Sequence, residues 1–187
     1  MKIGILVDRI TPGATPKFLG REVRYLRELG YDAEAISILD TGLPTQSHQF
    51  GEYLADIPLR YISHDWPMMR KFDFTIPPFS FFSAFDVAAG YLMPRILRRD
   101  PHRYDVIVAH ASITCWIANK IKRSLGIPYV AVMWDPITFI LDDVYRSKLP
   151  KSLFRLAMRL ARAMDRRLID EAIVSTTGSD TYAQIAE

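Results

Sequence analysis

Three near-continuous apolar runs, each closing on a polar residue, constrain this chain more than any other feature. They are Lys2 to Asp8, Tyr104 to His110 and Pro128 to Asp135, all rich in Val and Ile. Half-exposed antiparallel strands alternate apolar and polar residues. Unbroken apolar runs mark strands covered on both faces, as in parallel sheets. Weaker strand signals lie at Asp32 to Leu39, Leu59 to Ser63 and Glu171 to Ser175. Helical patterns fill the gaps. Lys17 to Leu29 carries Phe18, Val23, Leu26 and Leu29 at helical spacing, with Gly30 as its stop. Ala84 to Arg99 reads as a helix perturbed at Pro94, and Ser112 to Leu125 as one capped by Ser112 and ended by Gly126-Ile127-Pro128. Ser152 to Ile169 is the longest. This alternation predicts right-handed βαβ units, and hence an α/β fold on a Rossmann-like doubly wound parallel sheet.

The 187 residues, 49% of them apolar, suit one domain that buries its core without staples. The single cysteine, Cys115, excludes an intrachain disulfide and a zinc knuckle, and reads as a small buried apolar residue. No apolar run reaches the ~18 residues of a membrane span. The opening Met-Lys-Ile-Gly-Ile-Leu-Val-Asp-Arg is too short for a secretory signal, so the expected location is cytoplasmic. Thr41 to Ser83 is irregular and proline-rich, and too long for a structureless loop. A strand near Leu59 to Ser63 is expected to interrupt it, leaving Asp65 to Ser83 as an excursion. At the other end the chain stops within an apparent new helix that Thr177-Gly178-Ser179-Asp180 would cap. Residues 1–187 are therefore expected to be a fragment of a longer protein.

In open parallel sheets, ligands bind beyond the carboxyl ends of the strands, where strand order reverses. The first strand and the Tyr104 strand should flank that point, bringing Asp8-Arg9, His110 and Trp134-Asp135 to one crevice. The competing reading makes Asp8 and Asp135 loop caps and His110 hydrogen-bonded scaffold. Between the first strand and first helix lies Thr11-Pro12-Gly13-Ala14-Thr15-Pro16. Gly13 there would let backbone approach a ligand, and the helix start offers free N–H groups to a diphosphate. The loop is neither G-x-G-x-x-G nor a P-loop, so Asp40, at a ribose-binding position, is weak support for a nicotinamide cofactor.

These residues, in this order, resemble the opening of family 4 (group 1) retaining glycosyltransferases. Lys2-Ile-Gly-Ile-Leu-Val, Pro12-Gly13, Gly20-Arg21-Glu22-Val23 and Leu26-Arg27-Glu28-Leu29-Gly30-Tyr31-Asp32 carry the likeness at the start. Tyr104-Asp105-Val106-Ile107-Val108-Ala109-His110-Ala111-Ser112, Leu125-Gly126-Ile127-Pro128-Tyr129-Val130 and Ile169-Asp170-Glu171-Ala172-Ile173-Val174-Ser175 extend it across the chain. The resemblance implies one half of a GT-B enzyme: the Rossmann-like, amino-terminal, acceptor-side domain. A missing carboxy-terminal domain would bind the nucleotide-sugar and carry E-x7-E, which is absent here. It implies Gly13 near the donor diphosphate and His110 at a family-like position; Arg9, from the end of the first strand, is the other donor-binding candidate. Where members often carry a histidine contacting the transferred sugar, this chain reads Trp134-Asp135, making Asp135 the substitute candidate. No metal and no cofactor beyond the nucleotide-sugar substrate is implied.

Two surfaces add to this reading. Arg146 to Arg167 holds eight Lys or Arg and one acid, Asp165. Arg155, Arg159, Arg162 and Arg166 form one helical stripe, and Leu153, Leu156, Leu160, Met164 and Leu168 form the apolar, core-facing one. The stripe is either a solvated face or a contact with a lipid-linked acceptor and the inner face of a membrane. No recognition motif supports nucleic acid. Met68 to Phe85 holds six of the ten phenylalanines, as a core plug or as a lipid- or acceptor-facing flap. An oxidoreductase nucleotide-binding domain and a non-catalytic membrane-surface module remain as alternatives.

Overall fold

A computed structural model of the chain describes residues 1–10, 14–40, 52–72, 75–76, 79–100, 103–134 and 136–177. In chain order the elements are β1 (Lys2–Arg9), α1 (Ala14–Glu28), β2 (Asp32–Leu39), β3 (Leu59–Tyr61) and α2 (Ile62–Asp65). A 3-10 turn (Pro67–Phe72), β4 (Thr75–Ile76), β5 (Phe79–Ser83), α3 (Ala84–Arg99), β6 (Val106–His110) and α4 (Ala111–Leu125) follow. The last are β7 (Tyr129–Met133), α5 (Ile137–Tyr145), α6 (Lys151–Asp170) and β8 (Val174–Thr177).

The apolar runs do become buried parallel strands. β3-β2-β1-β6-β7-β8 is a six-stranded sheet in that order, every neighbouring pair parallel. Strand order reverses between β1 and β6, which makes the fold α/β, Rossmann-like and doubly wound. Ile5 and Leu6 of β1 are fully buried on opposite faces, one in each of the two main cores. The core holding Leu6 also takes in Phe85, Met93 and Ile117, from α3 and α4. The core holding Ile5 takes in Leu19 and Val23 of α1. The excursion after α2 holds an antiparallel hairpin, β4–β5. Phe85 at its end is fully buried, so that part of the Phe-rich stretch is core.

Helix ends follow local chemistry, with four departures. α1 stops as expected at Gly30, whose φ of 87° lets Tyr31 N–H reach back to the Leu26 carbonyl, but Leu29 is exposed rather than packed. α3 runs unbroken across Pro94. α4 begins directly on β6 with no intervening loop, so His110 takes the cap position and Ser112 lies buried in the first turn. The fourth departure concerns α6. Leu153, Leu156 and Leu160 are 44%, 53% and 63% exposed, while Ala161, Asp165 and Leu168 are buried.

A polar anchor explains that rotation. Asp165 accepts hydrogen bonds from Ile137 N–H (3.1 Å), Thr138 N–H (2.9 Å) and Thr138 Oγ1 (3.0 Å), satisfying the orphan donors at the start of α5. Ala161, one turn earlier, packs with Ile137, Leu141 and Tyr145 of α5. Burial raises the Asp165 carboxyl above its usual range against the pull of those donors. Replacing it with Ala should cost about 2–3 kcal/mol, because two buried N–H groups lose their acceptor. Asp165→Asn, which keeps one acceptor oxygen, should cost less. A raised folded pKa contributes stability at low pH that is lost as pH rises through it. The Asn deficit relative to wild type should therefore shrink between about pH 4 and pH 7. Urea midpoints at the two pH values check both statements.

Candidate functional site

His110 ends β6 at the reversal point, and the chain turns there without a glycine. Ala111, the next residue, has φ of 68°, a left-handed conformation that a Cβ disfavours. The Thr114 hydroxyl straps the turn from within α4 by donating to the His110 carbonyl. This turn presents the His110 ring to a cleft of about 700 Å³ between α1 and the carboxyl ends of β6, β7 and β8.

The His110 side chain is 7% exposed, and Glu22 Oε2 of α1 lies 2.7 Å from its Nε2. Neither ring nitrogen has an aligned hydrogen bond among the described residues, so the Glu22 contact is one of proximity. Phe18 and Trp134 meet edge to face at 4.2 Å, and their rings lie 4.8 and 5.3 Å from the imidazole. Val132 and Thr176 continue the wall along the sheet, with Lys17, Arg21 and Tyr25 on the α1 side. An imidazole buried beside a carboxylate can hold or pass a proton. The aromatic faces suit a flat or ring-shaped ligand, and the two cations suit an anionic group.

The sequence-derived candidates divide around this cleft. His110 and Trp134 come together in it. Arg9 is not among its lining residues: its Nε lies 3.4 Å from Asp8 and its guanidinium 5.5 Å from the Phe85 ring. Burial raises the Asp8 carboxyl above its usual range, against the Arg9 charge. Asp40 is engaged by His64 Nε2 at 2.6 Å. Arg155, Arg159 and Arg162 line a separate groove beside α6, and Arg166 is exposed on the same helix. Gly13 and Asp135 lie outside the described residues, as does the capped helix start after Thr177. Glu22 and Lys17 were not legible as site residues. The available signal was Phe18 and Glu22 four apart on the helix after β1, which puts both on one helical face.

Cys115 is buried, its thiol donates to the Ala109 carbonyl at 3.3 Å, and burial pushes it up to about 12. Among the described residues no three His, Cys, Asp or Glu gather as a metal site, and no helix is long and apolar enough to cross a membrane.

No family model and no curated protein matches the chain in sequence. Among solved structures it is similar to TcCGT1, whose crystal structure is in complex with UDP. The TM-score is 0.57 at 9% identity, over 99% of this chain and 46% of that one. It also matches Anabaena Alr3699/HepE, in complex with UDP and glucose, at a TM-score of 0.44 and 15% identity, over 95% and 43% of the two chains. The second likeness is too slight to argue from. The chain spans less than half the length of either protein. At such identities the first likeness establishes the fold alone, a Rossmann-like α/β domain.

The strained turn makes a direct prediction. Ala111→Gly should leave stability unchanged or raise it by up to about 1 kcal/mol, whereas Ala111→Val should lower it by about 2 kcal/mol or more. Thermal denaturation of both variants reads the difference.

Proposed function

We propose that residues 1–187 are the acceptor-side half of a GT-B glycosyltransferase. It transfers a sugar, with retention, from a nucleotide-sugar to a sugar or lipid-linked acceptor. The observation that carries this reading is the His110–Glu22 pair at the foot of an aromatic-walled cleft, at the reversal point of a doubly wound sheet. The order of family 4-like motifs along the chain supports it, and so does the likeness in fold to TcCGT1, a protein crystallised with UDP.

In this reading a sugar ring stacks against Phe18 and Trp134, and a hydroxyl of it meets the buried imidazole. Glu22 Oε2, 2.7 Å from Nε2, sits against the ring from the α1 side. Asp135, following Trp134 in the chain, orients a second hydroxyl. The donor diphosphate is held by a second, carboxy-terminal domain, with Gly13 assigned beside it by the family resemblance. The nucleotide-sugar is a substrate, and no metal or resident cofactor is invoked.

The enzyme carrying both domains should turn over a nucleotide-sugar and give a product with the donor's anomeric configuration, read by proton NMR. His110→Ala and Asp135→Ala should each lower kcat at least about tenfold, or about 1.4 kcal/mol in barrier. Residues 1–187 alone should fold and transfer nothing. Unaltered kinetics in both variants, or sugar transfer by this chain alone, overturns the proposal. Tight binding of a nicotinamide dinucleotide would favour an oxidoreductase instead.

A further inference from the structure

α6 carries an apolar ridge and a basic stripe that the fold leaves uncovered side by side. Leu153, Leu156 and Leu160 project on the face turned away by the Asp165 anchor, at 44%, 53% and 63% exposure. Arg155, Arg159, Arg162 and Arg166 are also exposed, centred roughly 120° around the helix from the leucines. Other cations nearby are tied down: Arg146 pairs with Asp142 at 2.5 Å and Arg167 with Glu171 at 2.8 Å. The four stripe arginines have no ion-pair partner among the described residues. Three of them wall a groove of about 390 Å³ against α5, in which Phe154 and Met158 supply apolar surface.

We propose that α6 docks this domain onto an anionic membrane surface, lying in the interfacial plane. The arginines engage lipid phosphates and the leucine ridge dips beneath the headgroups. Charge favours that occupant, since α6 has six basic residues against two acids, Asp165 and Asp170, and Asp165 is buried and spent on α5. Apolar geometry favours it over other polyanions. A ridge of three leucines about 10 Å long is too small for a stable protein interface, whereas a bilayer needs no matching shape. A nucleic-acid backbone offers nothing for the leucines. An anionic bilayer offers headgroup charge with an apolar layer directly below it. The proposal does not need sugar transfer: vesicle binding is read without turnover, so either can fail alone.

The test is co-sedimentation of the 187-residue chain with phosphatidylcholine vesicles, with and without phosphatidylglycerol. The protein should bind only the anionic vesicles. Binding should weaken steeply as the Debye length falls from about 30 Å at 0.01 M salt to about 8 Å at 0.15 M. Arg155→Gln, Arg159→Gln, Arg162→Gln and Arg166→Gln together should reduce partitioning at least about tenfold, with an unchanged circular dichroism spectrum. Leu156→Cys supplies a depth probe, because buried Cys115 leaves the new thiol as the reactive one. An environment-sensitive dye at that position should shift to the blue on anionic vesicles alone. No binding at low salt, undiminished binding by the quadruple variant, or no dye shift on binding overturns the proposal. Release by inorganic phosphate at matched ionic strength also overturns it, making the groove a free-anion site. So does tighter binding to polyglutamate or duplex RNA.

Discussion

Lys2 and Asp105 clasp the amino edge of the sheet. The Lys2 N–H donates to Asp105 Oδ2 at 2.6 Å, and the Asp105 N–H donates to the Lys2 carbonyl at 2.9 Å. From that clasp β1 and β6 run in parallel register from Ile3–Val106 to Leu6–Ala109. Closing so long an intervening segment costs chain entropy, and the burial of Ile5, Leu6, Ile107 and Ala109 offsets it. The pairing also fixes where a ligand can enter. The chain leaves the two strands for opposite faces, α1 on one and α4 on the other, and the gap between those departures is the reversal point.

The two faces are not covered equally. Tyr129, Ala131 and Met133 of β7 are fully buried in the core shared with α4, whereas Val130 and Val132 are only half-buried in the core shared with α1. The cleft lies where that cover thins, between α1 and the open face of β7 and β8. A polar pair at the margin of partly uncovered apolar surface is how ligand cavities are commonly built, with few polar groups fixing orientation and apolar walls supplying contact.

Much of the fold was legible because burial on both faces leaves a plain mark on sequence. The Val- and Ile-rich runs, the stops at Gly30 and Gly126 and the strand Asp32–Leu39 all emerge from composition and spacing. α6 was legible as a helix over Ser152 to Ile169, but not in the face it packs, because its sequence contains two rows at helical spacing. Leu153, Leu156 and Leu160 are the more apolar row, yet the row that packs includes an aspartate. Hydrophobicity cannot announce a buried acid whose partners are backbone N–H groups of another helix. The site shows the same limit. His110 could be read from the end of its strand, but Glu22 depends on how α1 lies against β6. The φ of Ala111 carries no signal either, since an alanine advertises no turn.

The Asp165 anchor has a mechanical side. Its carboxylate grips Ile137 and Thr138, and only two residues of sequence separate Ile137 from Trp134 on the wall of the cleft. α5 also buries Ile137, Leu141 and Tyr145 with Ala161 of α6, so the two helices pack as one unit beside the cleft. One carboxylate and a short stretch of chain thus join the outermost helix of the fold to the aromatic wall of the cleft.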